Sequence, residues 1–168
     1  NATIDKYLPD YPKEFASKIT IHQLLMHQSG IGQHYNIIPD YFDGQDKIFH
    51  TQQEYLQLFW DKKLAHEPGQ GYTYSSPGYY LLAVILEKVA KKSYAELLQE
   101  YIFNPLDMNS SSVANNLTII KDKATGYKKG ISGLVNNRNE EESNCLGAGD
   151  IISTTTDLYK FQKIFIPK

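Results

Sequence analysis

The stretch Tyr72-Thr73-Tyr74-Ser75-Ser76-Pro77-Gly78-Tyr79-Tyr80-Leu81-Leu82, continuing through Glu87-Lys88-Val89 to Lys91, decides the fold. Serine followed by proline is a strong helix-start signal. The hydroxyl can accept from an orphan amide, and proline lacks only an N–H that would be unpaired at the first helical position. This reading makes Ser76 the N-cap and Pro77 the first helical residue, with a helix from about Gly78 to Lys91. Leu81, Leu82, Ile85, Leu86 and Val89 make that helix apolar almost all round, which predicts a central, buried position.

Outward from this helix, further start signals repeat. Thr20-Ile21-His22-Gln23 is a capping box opening a short helix to about Gln28, with Gly30 as its stop. Thr51-Gln52-Gln53-Glu54 opens a helix carrying Tyr55, Leu58 and Phe59. Ser93-Tyr94-Ala95-Glu96 opens another, to about Phe103, and Asn104-Pro105 ends it. Thr154 to Asp157 caps a last helix, Leu158 to about Phe165. Residues 32–50 and 64–76 read as irregular, with Pro39, Gly44 and Pro68-Gly69 as breakers. Residues 110–146 are polar and glycine-punctuated, with room for one or two short strands or a hairpin. The expected class is mainly α, about five helices with a minor β element in one domain.

Composition narrows the function. The 168 residues carry 17 basic and 19 acidic side chains, a formal charge of −2, with no surplus to hold a nucleic acid or an anionic membrane. Lys121, Lys123, Lys128 and Lys129 cluster, but Asp122 interrupts them and a solvated face explains them. Cys145 is the only cysteine, so an internal disulfide and a cysteine-rich metal site are excluded. It follows Glu140, Glu141 and Glu142, whereas a reactive thiol needs an electropositive setting. No apolar run reaches the roughly 18–20 residues of a membrane span. The first residues carry no signal peptide and no initiator Met; Asn1-Ala2 reads as a cloning remnant and the chain as a piece of a longer protein.

Familiar catalytic patterns are missing. No serine lies in Gly-x-Ser-x-Gly, and no phosphate-binding loop or dinucleotide fingerprint occurs. His66-Glu67 is followed by Pro68-Gly69, which would break the helix a zinc motif needs. His22 and His27 are five apart and do not share a helix face; with His34 they read as ordinary surface or half-buried histidines. No cofactor or metal site is expected. On residue type alone, Tyr74 is an amphipathic packing residue and Ser76 a helix cap.

Three blocks, in order, resemble the serine β-lactamase and penicillin-binding family, in its class C β-lactamase, D-alanyl-D-alanine carboxypeptidase and esterase branch. The first is Ile19-Thr20-Ile21-His22-Gln23-Leu24-Leu25-Met26-His27-Gln28-Ser29-Gly30-Ile31. The second runs from Pro68-Gly69 through Tyr72 to Leu82, then Glu87-Lys88-Val89 and Ser93-Tyr94 to Pro105-Leu106-Asp107-Met108. The third is Ala148-Gly149-Asp150-Ile151-Ile152-Ser153-Thr154 with Asp157-Leu158-Tyr159-Lys160-Phe161. Tyr7-Leu8-Pro9 also fits the text that follows the family's nucleophile helix.

The resemblance implies the helical subdomain of the β-lactamase/DD-peptidase-like fold, without its α/β sheet domain. It places Tyr74 at the catalytic tyrosine of the second box. The nucleophile's Ser-x-x-Lys is absent: none of the serines is followed by lysine three residues later. Lys-Thr-Gly is absent too; Lys123-Ala124-Thr125-Gly126 has an extra residue and sits in the wrong block. The implied parent is an extracytoplasmic serine hydrolase with an acyl-enzyme mechanism, acting on β-lactams, D-Ala-D-Ala peptides, peptidoglycan-like ligands or esters. A phenol of ordinary pKa, about 10, is a poor base, and the cations that would activate one lie outside this chain, so the chain alone is expected to be inactive.

The box reads Tyr74-Ser75-Ser76 where the family has Tyr-Ser-Asn. Ser76 has one donor on a shorter arm, which leans away from β-lactams toward esters or peptides. Asp150 replaces a family glycine. In the 32–50 loop, Tyr35, Tyr41 and Phe42 either contact substrate or tuck the loop onto the helices. The alternatives are a non-catalytic, penicillin-binding-like relative that binds a peptidoglycan-like ligand or a protein partner, and a stand-alone helical interaction module.

Overall fold

A computed structural model describes residues 2–115, 117–137 and 141–165. Asn1 and Glu140, read above, lie outside the described residues. In chain order the elements are α1 (Lys13–Ala16), α2 (Ile21–Leu25), α3 (His34–Ile37), α4 (Gln52–Gln57), α5 (Ser76–Ala90) and α6 (Tyr94–Leu98). Then come β1 (Ser112–Val113), β2 (Tyr127–Gly130), β3 (Gly133–Asn136), β4 (Ile151–Ile152) and α7 (Thr155–Gln162). The fold is mainly helical. β2 and β3 pair as an antiparallel hairpin with Lys128 opposite Val135, and β1 pairs antiparallel with β4, Ser112 opposite Ile152.

All three capping boxes form. Thr20, Thr51 and Ser93 each accept from the amide three residues on, and Gln23, Glu54 and Glu96 reach back to the cap amide. Thr154 caps α7 by accepting from the Asp157 amide. Beyond the five expected helices stand α1 and α3. Each has four residues, too few for an apolar stripe to declare itself.

α5 is the central helix. Tyr80, Leu81, Val84 and Ile85 are buried against Ile4, Leu8, Ile19, Leu24, Tyr55 and Phe59. Full burial of one such aliphatic side chain is worth about 1.5–3 kcal/mol, so this contact set anchors the fold. The helix is not buried all round: Leu86 and Val89 point outward. α6 continues into a π-helical turn, Gln99–Phe103, whose Phe103 joins Leu98, Met108 and Phe161 in a second, smaller core. Among the described residues no helix is long and apolar enough to cross a membrane. Lys121, Lys123, Lys128 and Lys129 are exposed, and Lys123 pairs with Glu142.

α2 is shorter than the sequence suggests. It ends at Leu25, and the left-handed residue that stops it is His27 (φ +55°), not Gly30. Gly30 does a different job. Its φ is +81°, and a Cβ there would lie 2.2 Å from the His66 carbonyl oxygen. Only glycine lets residues 28–30 run against 65–69, where Ala65 N–H donates to Gly30 O and Gly69 N–H to Gln28 O.

Candidate functional site

The three N–H groups at the start of α5, those of Ser75, Ser76 and Gly78, account for the local geometry, because a helix start leaves such groups without intrahelical partners. The cap is Ser75, one residue earlier than the sequence reading placed it: its Oγ accepts from Gly78 N–H at 3.0 Å and donates to Gly32 O at 3.3 Å. Ser75 N–H donates to His27 Nδ1 at 3.1 Å. Ser76 N–H donates to Gln33 Oε1 at 2.7 Å. Pro77 has no N–H. The helix start therefore has no free amide for an anion, and chemistry here must come from side chains.

Those side chains line an open groove of about 340 Å³. The junction of α2 and α5 contributes His27, Tyr74, Ser76 and Tyr79, and the turn before β4 contributes Gly147 and Ala148. Tyr74 is 53% exposed. The His27 ring packs on three tyrosines: Tyr74 at 4.5 Å between centroids, Tyr79 at 4.9 Å and Tyr72 edge-on at 5.9 Å. Burial lowers the His27 pKa, and accepting the Ser75 amide favours the same neutral ring. Gln33 Nε2 donates to Ser76 Oγ at 2.9 Å, so the Ser76 hydroxyl keeps its own proton for a ligand. No charged side chain is among the described residues that line the groove.

The turn that closes the groove is built on Gly147 and Asp150. Gly147 has φ +66°, and a Cβ there would stand 2.7 Å from Ala83 Cβ, so the turn lies directly on α5. Asp150, the departure whose effect the sequence left open, is buried and accepts Gly147 N–H at 3.2 Å. Burial pushes its carboxyl pKa up.

The structure brings Tyr74 and Ser76 together at the groove. Tyr35 is elsewhere on the surface, stacked on Phe42 with centroids 5.6 Å apart. Tyr41 is corrected from a ligand contact to a core residue. It is 2% exposed and stacked on His34 at 4.2 Å, because the turn over Tyr41–Asp43 faces its ring inward. Lys123 to Gly126 form an exposed segment before β2. The sequence reading missed Gln33, whose link to Ser76 spans 43 residues and leaves no local signal. It also passed over His27 as ordinary, although His27 lies inside the first block.

Comparison with known proteins gives the site its context. "Penicillin-binding protein 4*" of Bacillus subtilis (strain 168) is 29% identical over 180 residues, covering 95% of this chain and 38% of that protein. "Teichoic acid D-alanine hydrolase" of Staphylococcus aureus (strain MRSA252) is 28% identical over 174 residues, covering 100% of this chain and 41% of that protein. The mitochondrial "Serine beta-lactamase-like protein LACTB" of Mus musculus is 35% identical over 116 residues, covering 67% of this chain and 20% of that protein. Solved structures are similar as well. The octameric penicillin-binding protein homologue from Pyrococcus abyssi has a TM-score of 0.77 at 29% identity, covering 98% of this chain and 38% of that one. D-amino acid amidase from Ochrobactrum anthropi SV3 has 0.77 at 29%, covering 95% and 45%. The chain thus spans about 40% of the length of the first two relatives. The profile of the Beta-lactamase family matches residues 1–164, and the chain belongs to that family.

Proposed function

We propose that this chain is the helical part of a longer, acyl-transferring serine hydrolase, and that Tyr74 is the acid–base residue it brings to the reaction. The observation that carries this reading is Tyr74 itself: a half-exposed phenol beside the start of the central helix, on the wall of an open groove with Ser76. The uncharged lining supports a division of labour, since a phenol needs nearby cations to act as a base. The nucleophilic serine and its lysine come from polypeptide outside these residues.

The serine oxygen bonds to the substrate carbonyl carbon while its proton passes to the lysine–tyrosine pair. The bond from that carbon to the leaving group breaks, and the phenol returns the proton to the departing nitrogen or oxygen. Water then adds to the acyl carbon and releases the acid. Ser76 offers its free hydroxyl proton to the substrate, and Tyr35 contacts larger substrates from the 32–50 loop. Relatives named for hydrolysing teichoic-acid D-alanine and D-amino acid amides support a substrate with a D-amino acyl group. The bacterial penicillin-binding relatives support an extracytoplasmic location.

The test uses the uninterrupted protein that carries this sequence. It is acylated by a fluorescent penicillin or hydrolyses a p-nitrophenyl ester, and Tyr74→Phe slows turnover about 10²–10⁴-fold. An unchanged rate removes Tyr74 from the mechanism. The 168-residue chain alone releases no nitrophenol above the uncatalysed rate; measurable hydrolysis by it sinks the division of labour.

A further inference from the structure

His27 is where the contacts of the groove converge, and the acid–base reading leaves it without a task. Its backbone is left-handed (φ +55°), a conformation uncommon among non-glycine residues, though histidine adopts it more readily than most. Two bonds fix it. His27 O accepts from Thr73 N–H at 2.9 Å, and His27 Nδ1 accepts from Ser75 N–H at 3.1 Å. These amides stand on either side of Tyr74. The ring between them lies on the Tyr74 ring, 4.5 Å away and inclined by 36°.

An amide N–H can only donate, so Nδ1 carries the lone pair and the proton sits on Nε2, an assignment that follows from the hydrogen-bond network. Resting on the reading of Tyr74 as the acid–base residue, we infer that His27 is its positioning residue: a neutral imidazole that grips the backbone on both sides of Tyr74 and packs at a tilt against its ring, holding the phenol at one place on the groove wall. The backbone bond to Thr73 alone could hold the strand, and any side chain at position 27 would permit it. The acceptor nitrogen and the flat ring are what histidine adds.

Two variants separate those contributions. Asparagine tolerates the left-handed backbone and offers a carbonyl to the Ser75 amide, but it has no ring. Phenylalanine keeps a ring against Tyr74 and has no acceptor. The experiment follows Ser75 amide exchange and the Tyr74 ring resonances by NMR in the uninterrupted protein, selectively labelled at serine and tyrosine. His27→Ala speeds Ser75 exchange about tenfold and displaces the Tyr74 signals. His27→Asn restores slow exchange, and His27→Phe returns the Tyr74 signals toward their native positions while exchange stays fast. In the uninterrupted enzyme, His27→Ala lowers kcat about tenfold or more and leaves KM within about twofold, because a misplaced phenol acts on the transition state rather than on binding. An alanine variant with native Tyr74 signals and native Ser75 exchange overturns the inference. Displaced Tyr74 signals together with an unaffected Tyr74→Phe rate leave the grip intact and refute the acid–base reading instead.

Discussion

The Ser75 hydroxyl works twice, accepting the Gly78 amide and donating to the Gly32 carbonyl, and the residue is 1% exposed. Ser75→Ala therefore removes a helix cap and leaves the buried Gly32 carbonyl without that donor, at a cost of about 1–2 kcal/mol. Ser76→Ala removes a partly exposed hydroxyl and with it the acceptor for Gln33 Nε2, but Gln33 Oε1 still holds the Ser76 amide and no cap is lost; it costs about 0.5–1 kcal/mol, less than Ser75→Ala. Urea unfolding of the two variants checks the order, and equal costs would remove Ser75 from the cap. Both serines precede a proline within two residues, so the sequence alone could not choose between them. What decides is Gln33, which satisfies the Ser76 amide and lets Ser76 enter the helix. That partner lies 43 residues away, and local signals cannot report it.

Helix starts were the most legible elements, because a capping box closes on itself within four residues. The boxes at Thr20, Thr51 and Ser93 stand where the sequence puts them. Helix ends were less legible. α2 stops at a left-handed histidine, and α6 runs into a π-helical turn. Two boxes carry a titratable member. Hydrogen bonds from Thr51 and Ser93 hold the Glu54 and Glu96 carboxyls below their ordinary value of 4.5. A carboxyl lowered in the folded state adds stability above its unfolded pKa, and that stability is lost as pH falls through the folded one. Circular dichroism across an acid titration should thus show helicity falling below the ordinary carboxyl range. In the Glu54→Gln/Glu96→Gln double variant that limb should flatten, since glutamine keeps the reach of the box without the charge. An acid limb of the same depth in the variant would assign it to other groups.

At the scale of the molecule, the 32–50 loop shows why tertiary context escapes a linear reading. Read as irregular, it is pinned from a distance: Asn144 Nδ2 donates to Ile48 O at 3.1 Å, and His50 Nδ1 lies 3.2 Å from Asn144 Oδ1. Within that loop His34 stacks on buried Tyr41 and meets Tyr35 edge-on at 5.3 Å. Burial brings the His34 pKa down from 6.5 to about 4. Between those two values the unfolded chain binds a proton that the folded chain refuses, so stability falls as pH drops from 6.5 toward 4. His27, lowered by burial as well, adds to the same slope. The urea midpoint should accordingly fall between about pH 7.5 and about pH 5. His34→Phe keeps an aromatic ring on Tyr41 and removes the proton, so its midpoint should fall less over the same interval, with His27 supplying what slope remains. Identical pH slopes in the two proteins would show that His34 is not held neutral by the fold.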